Sequence, residues 1–245
     1  TGQSLLQMTF ARFVNTIPKE NIFILTNEAY KKKVIHQLKV GQSQVICEPQ
    51  RKNTAPCIAF ATAKILKKDE NATLVVTPAD HLITNEQKFN LDLDLAISTA
   101  REKDQLITFG IKPHRPDTGY GYIEFNDSNK AQQVQKVLQF REKPDLKKAE
   151  EFLNAGNFYW NSGMFVWQGS VLKSSFERHC PELFDVFFSN LESYNTTNEN
   201  KFCKTSFEKC ANISIDYAIM EKEKDVVVIL SKFGWSDLGT WGSIQ

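Results

Sequence analysis

The sequence predicts an α/β fold built on a mostly parallel sheet covered by helices on both faces. Three observations predict it. Short uninterrupted apolar runs, such as Leu74–Val76 and Val226–Leu230, have the continuous Val/Ile/Leu character of strands buried on both sides. The segments between them repeat their apolar residues at helical spacing. And 245 residues with 41% hydrophobic and 24% charged side chains are enough to bury a substantial core.

Each element follows from local chemistry. Ser4-Leu-Leu-Gln7 reads as a capping box, with Leu5, Leu6, Phe10, Phe13 and Val14 on one face of a helix that cannot pass Pro18. Residues 21 to 26 form an apolar strand ending at Asn27, which caps a helix over 28 to 38. Ser43–Cys47 is the next strand. Thr54–Leu66 is a helix with Pro56 in its first turn, Thr73–Val76 a strand, and 87 to 101 a helix with Phe89, Leu93, Ala96, Ile97 and Ala100 inward. Leu106–Ile111 is again strand. In the second half, Tyr120–Phe125, Val134–Phe140 and Phe158–Trp167 read as strands, with helices near 145–154 and 170–178. Residues 189 to 210 are polar and read as an excursion without a core. Ser214–Glu221 reads as a short helix capped by Ser214. There is no internal repeat or sharp linker, so residues 1–245 are read as one domain, with lobes over 1–112 and 113–245.

Composition excludes some functions. A formal net charge of +1 provides no global field for a polyanion, so nucleic acid is not the expected partner. The apolar runs are too short to span a bilayer. Five cysteines without a C-x-x-C pair, and no signal-peptide pattern at the start, fit a cytoplasmic setting. The Asn-x-Ser/Thr triplets at Asn71, Asn126, Asn195 and Asn212 carry no weight without such a signal.

Several segments carry candidate chemistry. Asp80 follows the strand Thr73–Val76, at the carboxyl edge where open α/β sheets bind ligands; it either caps a turn or holds a hard cation such as Mg²⁺. His81 reads as a packed neighbour. Asp237 lies in Gly234-Trp-Ser-Asp-Leu-Gly-Thr-Trp241, a turn whose Trp235 and Trp241 suit a core. Taken together, two strand-end carboxylates can clamp metal over a phosphate chain. In Cys47-Glu-Pro-Gln-Arg-Lys-Asn-Thr-Ala-Pro56, Glu48 can accept from a purine's amino and ring N–H groups, with backbone groups near Asn53–Ala55 completing the base contact; the plain alternative is a capped loop with Arg51 and Lys52 solvated. Gly119 and Gly121 flank Tyr120 and permit close approach to a sugar hydroxyl, or simply turn the chain. Glu142 beside Lys143 offers a carboxylate for hydroxyls and an ammonium for a phosphate, or a surface ion pair. Asn161, set among apolar residues, must find a partner in the backbone or in a ligand.

The order and spelling of these strings resemble one family along nearly the whole chain. Glu48-Pro with Asn53-Thr-Ala-Pro, Pro78-Ala-Asp-His, Thr118-Gly-Tyr-Gly-Tyr-Ile, Glu142-Lys-Pro, Trp160-Asn-Ser-Gly-Met-Phe, Ser214-Ile-Asp-Tyr-Ala and Trp235-Ser-Asp-Leu-Gly-Thr-Trp look like mannose-1-phosphate guanylyltransferases. The resemblance implies a Rossmann-like nucleotide-diphospho-sugar transferase fold and transfer of GMP from GTP to mannose 1-phosphate, giving GDP-mannose and pyrophosphate. By it, Asp80 and Asp237 hold Mg²⁺ and, with Lys143, serve the chemistry. Glu48, Asn53, Thr54 and Ala55 line the guanine pocket. Gly121, Glu142 and Asn161 hold the mannose ring, and Lys143 its phosphate. Asp216 is a neighbour of the sugar or a structural cap. The family's first strand and its Gly-x-Gly-x-Arg loop have no counterpart in these 245 residues. The chain therefore reads as truncated at both ends, with a non-catalytic nucleotide-sugar binding fragment and a relaxed hexose-1-phosphate guanylyltransferase as the alternatives. A homodimer is left open.

Overall fold

The structure, a computed structural model, describes residues 2–127 and 132–239. Trp241, read above as core, lies outside them. Its elements, in chain order, are α1 (Leu5–Val14), β1 (Ile24–Asn27), α2 (Lys31–Leu38), β2 (Val45–Glu48), α3 (Thr54–Leu66), β3 (Thr73–Val76), β4 (Leu82–Ile83), α4 (Glu86–Glu102), β5 (Leu106–Ile111), β6 (Tyr122–Phe125), β7 (Val134–Arg141), α5 (Leu146–Ala155), β8 (Phe158–Gln168), α6 (Gly169–His179), α7 (Pro181–Phe187), α8 (Glu199–Lys209), β9 (Val226–Ser231) and β10 (Trp235–Ser236).

The caps read from sequence form. Ser4 Oγ accepts from the Gln7 amide at 3.3 Å while Gln7 Oε1 accepts from the Ser4 amide at 2.9 Å. Asn27 Oδ1 accepts from the Ala29 amide at 3.0 Å. Ser214 Oγ accepts from the Tyr217 amide at 3.3 Å, but the helix it caps is a turn of π-helix over Asp216–Met220. Such turns recur at functional sites, because the extra residue re-aims the side chains around it.

The main sheet has the order β3-β8-β5-β9-β7-β6, with β1 and β2 forming a separate parallel pair and β4 and β10 an antiparallel one. The α/β class is as expected, but the main sheet is mixed rather than mostly parallel. β5 and β9, two of the continuous apolar runs, pair in parallel at the centre, from Leu106↔Val226 to Ile111↔Ser231. β3, β5, β6 and β9 share one direction, but most hydrogen-bonded neighbours are antiparallel because β8 and β7 run the other way between them. β8 also pairs with β6 through Tyr122↔Trp160, so the pairings β8–β5–β9–β7–β6 return to β8. Between Thr108↔Phe165 and Gly110↔Asn161, β8 uses three intervening residues where β5 uses one, and Gly163 takes φ +70° to make the bulge. This bulge sets the direction of Asn161.

Residues 189 to 210 depart from the sequence reading. They carry α8 and bury Tyr194, Cys203 and Phe207, with Phe207 edge-on to Phe60 at 5.6 Å and to Phe187 at 5.3 Å. Lys64 of α3 pairs with Glu199 at 2.5 Å. A few large aromatic anchors, spaced among Asn, Thr and Lys, bind this segment to α3 and α7 without a continuous apolar stripe. Phe207→Ala is therefore expected to cost about 3–5 kcal/mol of stability, measured as a loss in urea unfolding.

Candidate functional site

β3 delivers the chain through Pro78 and Asp80 into β4, which pairs with β10 in the register Ile83↔Trp235 and Leu82↔Ser236. Extending that antiparallel register one step sets Asp237 beside His81, so two acids far apart in sequence flank one imidazole. The His81 side chain is 15% exposed and its Nδ1 accepts from Trp235 Nε1 at 3.1 Å. Burial holds its pKa below the ordinary value, against the upward pull of both Asp80 and Asp237. His81 is thus the packed neighbour the sequence suggested. Asp80 is 77% exposed, with Oδ1 4.0 Å from His81 Nε2. Asp237 Oδ1 accepts from Tyr120 Oη at 2.7 Å and from the Gly239 amide at 3.1 Å.

A second group forms where β6, β7, β8 and the π-turn meet. The Asn161 amide donates to Gly121 O at 2.8 Å. Asn161 Oδ1 accepts from Thr108 Oγ1 and from the Gly163 amide, each at 3.1 Å, and its Nδ2 donates to Asp216 Oδ1 at 3.0 Å. The partners its burial demanded are therefore protein groups, and they fix the carboxamide's orientation. A Cβ on Gly121 would overlap Glu142 Oε2, so any larger residue there would displace the carboxylate. Burial, followed by the charge of Asp216, pushes the Glu142 carboxyl up to about 7. Burial raises Asp216 as well. Lys143 Nζ lies 3.5 Å from Glu142 Oε1; its side chain is 61% exposed and its backbone left-handed at φ +46°. Gly121, Glu142, Lys143 and Asn161 are thus assembled together, and Asp216 joins them.

The third group lies at the start of α3. Glu48 ends β2, and its Oε1 is buried without a hydrogen-bond partner. Burial raises its carboxyl, opposed by the Cys57 thiol and by Arg51. Asn53, at φ +70°, caps α3 by accepting from the Thr54 amide at 2.8 Å. Two of the expected base contacts are already engaged: Ala55 N donates to Ile213 O at 3.1 Å, and Thr54 Oγ1 accepts from the Ile215 amide at 2.8 Å. These bonds stitch α3 to the segment that leads directly into Asp216.

Sequence reasoning passed over Tyr120. Its ring stands edge-on between Trp160 at 5.0 Å and Trp235 at 5.2 Å, and Arg115 lies 5.2 Å over Trp160. The only signal was its place between two glycines. Glu221, whose Oε1 accepts from the Glu142 amide at 3.0 Å, had no signal at all.

The model of the family described as nucleotidyl transferase matches residues 1–245. The chain belongs to the nucleotidyl transferase family. Among its relatives, the mannose-1-phosphate guanylyltransferase of Salmonella montevideo is 38% identical, over 99% of this chain and 52% of that protein. The chain spans about half the length of the curated relatives it matches. A solved Thermus thermophilus structure, described as a mannose-1-phosphate geranyltransferase, is 27% identical with a TM-score of 0.86, covering 98% of this chain and 68% of that one. A Helicobacter pylori structure, described as a mannose-6-phosphate isomerase, is 30% identical with a TM-score of 0.80, covering 96% and 90%. Among the described residues no group of three or more His, Cys, Asp and Glu is arranged to hold a metal, and no helix is long and apolar enough to cross a membrane.

Proposed function

We propose that the chain forms the domain that transfers GMP from GTP to mannose 1-phosphate, releasing pyrophosphate and GDP-mannose. The observation that carries this reading is the single wall of Gly121, Glu142, Asn161 and Asp216, tied to Asp237 on one side and to the Glu48 loop on the other. The Salmonella relative's name and the motif series support the same substrates.

In this reading the buried Glu48 oxygen accepts from the N–H and amino groups of guanine, and Asn53 shapes the turn beneath the base. Glu142, Asn161 and Asp216 hold the sugar hydroxyls, Gly121 lets the ring approach, and the Lys143 ammonium meets the sugar phosphate. A phosphate oxygen of mannose 1-phosphate attacks the α-phosphorus as the bond to pyrophosphate breaks. That nucleophile is already anionic, so positioning and charge neutralisation supply the rate. Asp80 and Asp237 fit Mg²⁺ by their chemistry: two carboxylates that supply hard oxygen donors, one of them largely exposed. When bound, the ion neutralises phosphate charge. The remaining features of this reading are a cytoplasmic setting, in keeping with the unpaired cysteines, and no nucleic-acid or membrane partner. A homodimer is compatible with it.

Pyrophosphate release measured with GTP, ATP, UTP and dTTP against mannose and glucose 1-phosphates tests the proposal. A preference for GTP with mannose 1-phosphate is expected; preference for UTP or dTTP with glucose 1-phosphate overturns it. Equal use of several hexose 1-phosphates with GTP would establish the relaxed enzyme, and GDP-mannose binding without turnover the binding fragment. Isomerisation of mannose 6-phosphate with no nucleotidyl transfer would overturn the reading altogether.

The Glu142 shift gives a pH dependence. Its carboxyl is raised in the fold, so the associated stability is fully present below the ordinary value of 4.5 and is lost as pH rises through about 7. Glu142→Gln should therefore stabilise the protein at pH 8 relative to wild type, with little gain at pH 5, in thermal unfolding scans. Because the ionised form is the better acceptor for hydroxyls, mannose 1-phosphate affinity of the wild type should rise across the same window, and the rise should be smaller in the variant, where only the ligand's own second phosphate ionisation, at about 6, remains.

A further inference from the structure

Tyr120 connects two parts of the site that the sequence places far apart. Its hydroxyl donates to Asp237 Oδ1 at 2.7 Å, and the next residue, Gly121, packs against Glu142 and accepts from the Asn161 amide. The ring is 8% exposed and held edge-on by Trp160, whose chain neighbour is Asn161, and by Trp235, two residues before Asp237. A sugar ring entering between Gly121, Glu142 and Asn161 thus presses on the same short stretch of backbone that aims the Tyr120 hydroxyl.

We propose that Tyr120 is a positioning residue that couples occupancy of the sugar pocket to the orientation of the Asp237 carboxylate, and so to cation binding. This rests on the assignment of Asp237 as a cation ligand. Asp237 has two acceptor oxygens, and the phenol and the Gly239 amide both engage Oδ1. Their shared preference for one oxygen sets how the carboxylate is turned. Without the phenol, the Gly239 amide is the only hydrogen-bond donor left to it among the described residues, and the carboxylate gains rotational freedom that cation binding must then remove. Coupling of this kind is reciprocal: sugar binding tightens the cation site as much as the cation tightens the sugar site.

The test is Tyr120→Phe, which keeps the ring and its contacts with both tryptophans and deletes only the hydroxyl. GDP-mannose affinity is measured by calorimetry on the full chain as Mg²⁺ is varied, with an EDTA arm. The Mg²⁺ concentration for half-maximal enhancement should rise roughly tenfold, as expected for loss of one hydrogen bond to a charged group. Affinity in EDTA should be unchanged. The same substitution in an Asp237→Asn background should shift nothing further. An unchanged Mg²⁺ requirement in the single variant overturns the proposal, as does a loss of affinity in EDTA, which would mean that the phenol shapes the sugar pocket directly. Absence of any Mg²⁺ effect on the wild type would instead refute the assignment of Asp237, and the proposal with it. A second arm titrates Mg²⁺ with and without mannose 1-phosphate: the sugar phosphate should lower the Mg²⁺ requirement of the wild type and not of Tyr120→Phe. An equal lowering in both would show that the substrate phosphate alone carries the linkage, and would overturn the coupling.

Discussion

Replacing Asp237 by Asn is expected to slow nucleotidyl transfer by roughly 10² to 10³-fold, the scale at which single preorganised electrostatic contacts act. The side chain keeps its shape, and Asn Oδ1 can still accept from the Tyr120 hydroxyl and the Gly239 amide, so the turn after β10 should persist. What disappears is one of the two negative charges beside His81. Pyrophosphate release followed against Mg²⁺ concentration should show the requirement rising sharply while the thermal unfolding midpoint stays close to wild type. An Mg²⁺ requirement equal to that of the wild type would remove Asp237 from the chemistry.

Gly121→Ala should act almost wholly on the sugar side. The added Cβ meets Glu142 Oε2, with Asn161 Cβ at 3.4 Å and Phe140 Cε1 at 3.5 Å closing the other directions, so the carboxylate must move. Loss of one charged hydrogen-bond acceptor for the sugar should raise KM for mannose 1-phosphate by roughly 10- to 100-fold, with KM for GTP little changed. Shortening the acid in a Gly121→Ala/Glu142→Asp double variant should recover part of the loss, because the clash is with the far end of the side chain. An alanine variant with wild-type kinetics would mean that the sugar binds elsewhere.

The elements whose signals are local were legible in the sequence. β3 and β5 fall where their apolar runs begin and end, α3 starts at Thr54 with Pro56 in its first turn, and Ser4 and Asn27 cap what they were expected to cap. The residues grouped from their distinctive strings, Gly121, Glu142, Lys143 and Asn161, also lie together in the fold. The rest depends on tertiary context. That β8 lies between β3 and β5 cannot be read from β8, whose alternation would suit several neighbours. The α8 segment hides behind its polar residues, since Tyr194 and Phe207 are buried by partners in α3 and α7 rather than by their own periodicity. The π-turn that presents Asp216 leaves no trace in composition. The engagement of Thr54 and Ala55 with residues 213–215 joins groups about 160 positions apart, which no local pattern can announce.

That same stitching constrains the order in which the protein can become functional. Three contacts join early chain to late chain: α3 to residues 213–215, β4 to β10, and Tyr120 to Asp237. Each closes a long loop, whose entropy must be lost before the contact returns any stabilisation. A chain emerging from the ribosome can therefore cap its early helices and pair β1 with β2 well before it has any substrate site. Affinity for a nucleotide sugar should appear abruptly, only once residue 237 is free to fold back, and ligand added during refolding should speed no step that precedes that closure.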